Sequence, residues 1–83
     1  MNTTSAIQSV VTGKELETHF LDLVRARFVG HMVRLVKPES QVFVFAVAEV
    51  HRITVPATVL FELLSDEGDP YWVTDETQIF DLG

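Results

Sequence analysis

Gln41 to Thr54, QVFVFAVAEVHRIT, is the longest apolar run in an 83-residue chain, and it narrows what that chain can fold into. Valine and phenylalanine dominate it, and both suit a pleated strand better than a helix. Read with period two, Phe43, Phe45, Val47, Glu49, His51 and Ile53 take one face. Val42, Val44, Ala46, Ala48, Val50 and Arg52 take the other. Both faces are apolar as far as Ala48, and a strand of that kind is normally covered on both sides. The spacing predicts a central strand with Phe43 and Phe45 toward the core. Its small alanines then accept a helix or a second subunit.

The residues ahead of the run supply part of that cover. Residues 1–12 start polar and small and gain Ile7, Val10 and Val11, which predicts a flexible start whose last few residues pack down. Thr12-Gly13-Lys14-Glu15 fits a capping box, with the hydroxyl and the glutamate positioned to satisfy each other's amides. Leu16, Phe20, Leu23, Val24 and Phe28 then share one stripe at helical spacing, with Leu21 at its edge. Glu15 and Glu17 near the start and Arg25 and Arg27 near the end suit the helix dipole. This predicts a helix over about 13–28, stopped near Gly30. His31 to Val36 alternates as a short strand, and Lys37-Pro38-Glu39-Ser40 turns it into the long one.

After the run the pattern permits two readings. Val55 to Ser65 can be a helix, with Pro56 in its first turn and Val59, Leu60, Leu63 and Leu64 on one face. It can also be a strand, with Val59, Phe61 and Leu63 alternating against Leu60, Glu62 and Leu64. The strand is preferred, because Ser65 to Pro70 (SDEGDP) then becomes a hairpin loop into Tyr71 to Val73. A helix over 56–66 would instead give an αββαβ order. Gln78 to Leu82 is a last extended piece.

The succession of phrases is itself informative. Phe28-Val29-Gly30 leads into His31 to Val36, and a long strand ends Val47-Ala48-Glu49-Val50. Val59-Leu60-Phe61-Glu62-Leu63, Tyr71-Trp72-Val73-Thr74-Asp75-Glu76 and Ile79-Phe80-Asp81-Leu82 follow. Over about residues 28–82 this order resembles the small SH3-like β-barrels of bacterial and phage proteins. Gly30-His31 stands where that family customarily has Gly-Asp, and no glycine opens the second strand. The resemblance implies a barrel, and with the helix of about 13–28, which lies outside it, the expected fold is an α+β domain over residues 13–83. An N-terminal helix would precede a small antiparallel SH3-like barrel or curled sheet of four to five strands over about 31–82. It implies binding of peptides, subunits or nucleic acid, and carries no activity.

Composition and charge bound the function. The chain is 47% hydrophobic with six Phe, one Trp and one Tyr, more than so small a monomer can hide. Self-association is therefore expected, through Val42, Val44 and Ala46 on the strand or Phe20 and Leu23 on the helix. All six basic residues lie before Ile53, whereas Glu62 to Gly83 holds seven acidic residues and no basic one. With no basic cluster, direct binding to a nucleic-acid backbone is not expected. The chain has no cysteine, which removes disulfide and thiolate-metal frameworks. No stretch approaches the roughly 20 apolar residues of a membrane span, and residues 1–12 lack a positive region ahead of an apolar one. A cytoplasmic protein is expected, with no membrane partner.

Candidate chemistry is sparse. His19, His31 and His51 have no ligand spacing, so no metal or other cofactor is expected. Asp66-Glu67-Gly68-Asp69 and Asp75-Glu76 lack the oxygen spacing of a calcium loop and read as solvated turns. No G-x-S-x-G phrase and no glycine-rich phosphate loop is present, and an enzyme is not expected. Tyr71 and Trp72 are the most site-like residues. Neighbours on a strand point opposite ways, so one faces the core and the other, flanked by Asp75 and Glu76, can anchor a partner. The expected function is a non-enzymatic protein–protein interaction module or small accessory subunit that self-associates. The alternative is an acidic inhibitor or DNA mimic, of a kind some phages encode, that captures a basic nucleic-acid-binding protein.

Overall fold

The central run is a strand with a fault in the middle. In the computed structural model, which describes residues 9–53 and 59–83, it spans Gln41–Arg52, the fourth strand in space of an antiparallel sheet. The chain order is β1 (Ser9–Thr12), α1 (Gly13–Leu16), α2 (Leu21–Phe28), β2 (Met32–Lys37), β3 (Gln41–Arg52), β4 (Val59–Ser65), β5 (Pro70–Thr74) and β6 (Gln78–Asp81). In space the strands run β1-β6-β2-β3-β4-β5. Residues 41–46 of β3 pair with β2, and residues 47–52 pair with β4.

The fault is a β-bulge at Ala48. Val47 pairs with Ser65, but the next partners are Glu49 and Leu64, so one residue is left over. An extra residue bends a strand and resets its alternation. Phe45, Val47 and Val50 are all buried on the same side, while Glu49 and His51 turn away. The expected face assignment therefore holds to Val47 and reverses after it. Bent there, the two halves of the sheet enclose Val11, Val33, Leu35, Phe45, Val47, Val50, Phe61, Leu63, Val73 and Ile79. Leu16, Val24 and Phe28 complete this core from the helices.

The expectation of one N-terminal helix followed by a four- to five-stranded barrel is corrected in three ways. First, Ser9–Thr12, at the end of the supposed flexible start, pairs with β6 as a sixth strand; residues 1–8 lie outside the described residues. Second, the helix of about 13–28 is two pieces. Its capping box is present, with the Glu15 amide donating to Thr12 Oγ1 and the Thr12 amide to Glu15 Oε1. The chain then leaves the helix at Glu17, because Arg52 Nη1 and Nη2 take the carbonyls of His19 and Glu17, and the Thr18 hydroxyl takes that of Glu15. Phe20 becomes the extended residue ahead of α2, 79% exposed and off the expected stripe, and Leu23 is exposed too. Third, the barrel does not close. The edge strands β1 and β5 do not pair with each other, and α1 packs against both of them instead. The helical alternative over 56–66 is excluded for Val59–Ser65, which is β4; residues 54–58 lie outside the described residues.

The turn predicted at Lys37 to Ser40 is a short 3-10 segment in which Glu39 (φ 70°) and Ser40 (φ 65°) both adopt left-handed backbone. Side chains other than glycine and asparagine resist that region. Glu39→Asn with Ser40→Gly is expected to stabilise the protein by about 1 kcal/mol. A thermal melt would then rise by roughly 4–8 °C. An unchanged melt would show that this hairpin carries no strain.

Candidate functional site

Pairing across the four strands β1, β6, β2 and β3 lines up the side chains on the outside of the sheet. Val10, Phe80, Arg34 and Val44 form one row, and Thr12, Gln78, Val36 and Val42 the next. Met32 and Ala46 extend it. Val10, Met32, Val42 and Val44 are exposed, the last two by 51% and 56%. Arg34 is the one charge on these rows. Its guanidinium lies 4.5 Å from the centre of the Phe80 ring, and its Nε is covered without a hydrogen-bond partner. The face thus joins apolar area to a stacked arginine holding an unmet donor. A buried donor without an acceptor costs about 1–3 kcal/mol.

Of the interface residues read from sequence, Val42, Val44 and Ala46 stand together on this face. Phe20 and Leu23 do not join them: they sit at the start of α2, which packs where Arg25 meets Glu49 and Val50, at the other half of β3. Met32, Arg34, Phe80 and Val10 belong to the face and were not singled out as interface. The alternation of His31 to Val36 placed Met32 and Arg34 on one side, but only the pairing with β6 and β1 shows how far the face extends.

The aromatic pair divides. Tyr71 turns inward and stacks on Phe45 with ring centres 4.0 Å apart and planes 13° from parallel. Trp72 turns outward, 52% exposed, and its indole N–H donates to Glu62 Oε2 at 3.0 Å. His51 Nδ1 lies 3.5 Å from the other oxygen of that carboxylate, so His51, Glu62 and Trp72 form an outer row across β3, β4 and β5. Asp75 and Glu76 sit in the β5–β6 turn, where the Asp75 carbonyl accepts the Lys14 amide. They flank Trp72 in sequence but lie past the end of its strand.

The other two histidines are tied into the framework. His31 Nδ1 lies 3.0 Å from Asp81 Oδ1 and His19 Nδ1 3.1 Å from the Glu15 carbonyl. Among the described residues no three His, Asp or Glu groups converge to hold a metal ion. Two carboxyls are held below their ordinary range: Glu15 by the Thr12 amide and hydroxyl, and Glu49 by the Val50 amide, with Arg25 alongside.

One pocket, of about 260 Å³, opens between β3 and the β4–β5 hairpin. Val44, Phe45, Ala46, Ser65, Asp66, Glu67 and Tyr71 line it. It falls below the roughly 300–1,000 Å³ of small-molecule sites and suits a single side chain. Among the described residues no helix is long and apolar enough to cross a membrane. Comparison with family models, curated proteins and solved structures finds no match.

Proposed function

We propose that the protein is a non-enzymatic interaction module, a small accessory subunit that self-associates through the outer face of β1, β6, β2 and β3. The observation that carries this reading is the row structure of that face: exposed apolar side chains on three of the four strands around one stacked arginine. Burying such area is favourable in proportion to its extent, and a central arginine with an aromatic neighbour is a common anchor. No carboxylate on these rows opposes the approach of a second copy, despite a net charge of -6. Trp72, on the other half of the sheet, stays available to a protein partner. A cytoplasmic location belongs to the same reading, and the cysteine-free sequence suits it.

The acidic-mimic alternative is less well supported by the placement of charge. Imitating a nucleic-acid backbone needs carboxylates along one stripe. Here Asp66, Glu67 and Asp69 occupy the turn before β5 and Asp75 and Glu76 the turn after it, at opposite ends of that strand.

Light scattering decides the matter. The parent is expected to have at least twice the monomer mass. Met32→Glu with Val42→Glu should leave the circular dichroism unchanged and weaken association by about 100-fold or more, two buried charges costing at least 3 kcal/mol. A parent that is monomeric at every concentration, or a double variant that associates as before, removes the proposal.

A further inference from the structure

β3 has two half-edges, because it changes partner at the bulge. Beyond Ala46 its β2-side edge has no strand beside it, and over 41–46 its β4-side edge has none. The first is plugged. Val50 offers its amide and carbonyl there, and the Glu49 carboxylate takes the amide at 2.8 Å while Arg25 Nε donates to the carbonyl at 3.1 Å. Charged side chains over an unpaired edge are the usual guard against adventitious strand pairing.

The second half-edge has no such guard. Val47 exchanges bonds with Gly30 and His31 on the β2 side, its amide donating to the His31 carbonyl and its carbonyl accepting the Gly30 amide. Alternation therefore turns the amides and carbonyls of Val42, Val44 and Ala46 the other way. The Asp66 amide takes the Ala46 carbonyl at 3.1 Å. No described strand pairs with the groups of Val42 and Val44, whose side chains are apolar and exposed.

The free edge runs into the pocket of about 260 Å³. The stacked rings of Phe45 and Tyr71 form one wall, and Asp66 and Glu67 stand at the other. Neither carboxylate has an ion pair or hydrogen bond among the described residues. Their positions are nonetheless set. Ser65, buried, accepts the amides of Glu67 and Asp69 on its hydroxyl and that of Gly68 on its carbonyl, and donates its own amide to the Asp69 carbonyl.

We infer that this half-edge is a strand-addition site for an extended segment of a protein partner, with a lysine or arginine of that segment entering the pocket. Main-chain bonds to Val42 and Val44 would supply affinity, and the pocket would supply choice of side chain. A cationic head there meets two carboxylates, and its methylene stem lies against the aromatic wall of Phe45 and Tyr71. The inference rests on the reading of the protein as an interaction module, but not on self-association, which uses the outer face.

The test uses the full chain and a synthetic peptide blocked at both ends, with a central lysine between two valines and a threonine outside each. The peptide is expected to slow amide exchange at Val42 and Val44. Asp66→Asn with Glu67→Gln should weaken its binding by about 10-fold, and a glutamate-centred peptide should bind at least that much more weakly. Val44→Pro, which removes an amide facing away from β2, should abolish binding while the fold persists. Equal binding of the two peptides, or exchange unaltered at Val42 and Val44, overturns the inference. So does protection of those amides without peptide that is lost on dilution, since a second copy would then be the occupant. A monomer that binds the peptide removes self-association alone, and an oligomer that fails to bind it removes strand addition alone.

Discussion

Gly13→Ala is expected to unfold the protein under conditions where the parent is stable. A Cβ built on Gly13 falls 1.8 Å from the Thr74 carbonyl oxygen and 2.9 Å from Val73 Cγ1. The nearer clash is with backbone, so no side-chain rotation relieves it. Nor can the helix withdraw freely. The Gly13 amide donates to the Thr77 carbonyl at 2.9 Å, and the Lys14 amide to that of Asp75 at 3.2 Å. The far side is equally fixed, because the fully buried Thr77 accepts the Thr74 amide on its hydroxyl at 2.9 Å. Overpacking a constrained site costs about 1–3 kcal/mol, and a backbone clash belongs at the top of that range or above it. Small domains have only about 5–15 kcal/mol in total. The measurement is the urea midpoint. A midpoint equal to the parent's would show that α1 does not hold the gap between β1 and β5 as described.

Phe61→Ala is the second large loss, about 3–5 kcal/mol, with Phe61→Leu much milder. Phe61 is fully buried on β4, opposite Val73 of β5 and Arg52 of β3. The Arg52 guanidinium lies 5.3 Å from its ring centre and also bonds the carbonyls of Glu17 and His19. Removing the ring therefore opens a cavity and frees the arginine that ends α1. Adding Arg52→Ala to Phe61→Ala should cost less than the two single losses combined, because the residues share this contact. Strict additivity in urea titrations would show that ring and guanidinium act separately.

Part of this was legible in the sequence for local reasons. The capping box at Thr12 to Glu15 is a pattern four residues long, and it forms as read. The alternation of Val59, Phe61 and Leu63 gave β4, and Ser65 to Pro70 gave its turn. The stripe of Leu16, Phe20, Leu23, Val24 and Phe28 misled at Phe20 and Leu23, because helical spacing says nothing about an arginine from residue 52 that takes the carbonyls of Glu17 and His19 just past α1. Tyr71 and Trp72 had to point opposite ways; which one stacks on Phe45 depends on how β4 and β5 pair.

Gln41 to Arg52 had to be a strand of the core by composition and period alone. That its alternation reverses after Val47 was not legible, because Ala48 looks like any small residue on a regular face. Only the pairing of Val47 with Ser65 and of Glu49 with Leu64 makes it an extra one. The same change of partner leaves one half-edge plugged by Glu49 and Arg25 and the other open at Val42 and Val44. Period, caps and turns are set by neighbours in sequence, so the chain by itself marked most of the segments that extend, Ser9–Thr12 excepted. Bulges, faces and free edges are properties of pairs of strands, and those the tertiary structure alone decided.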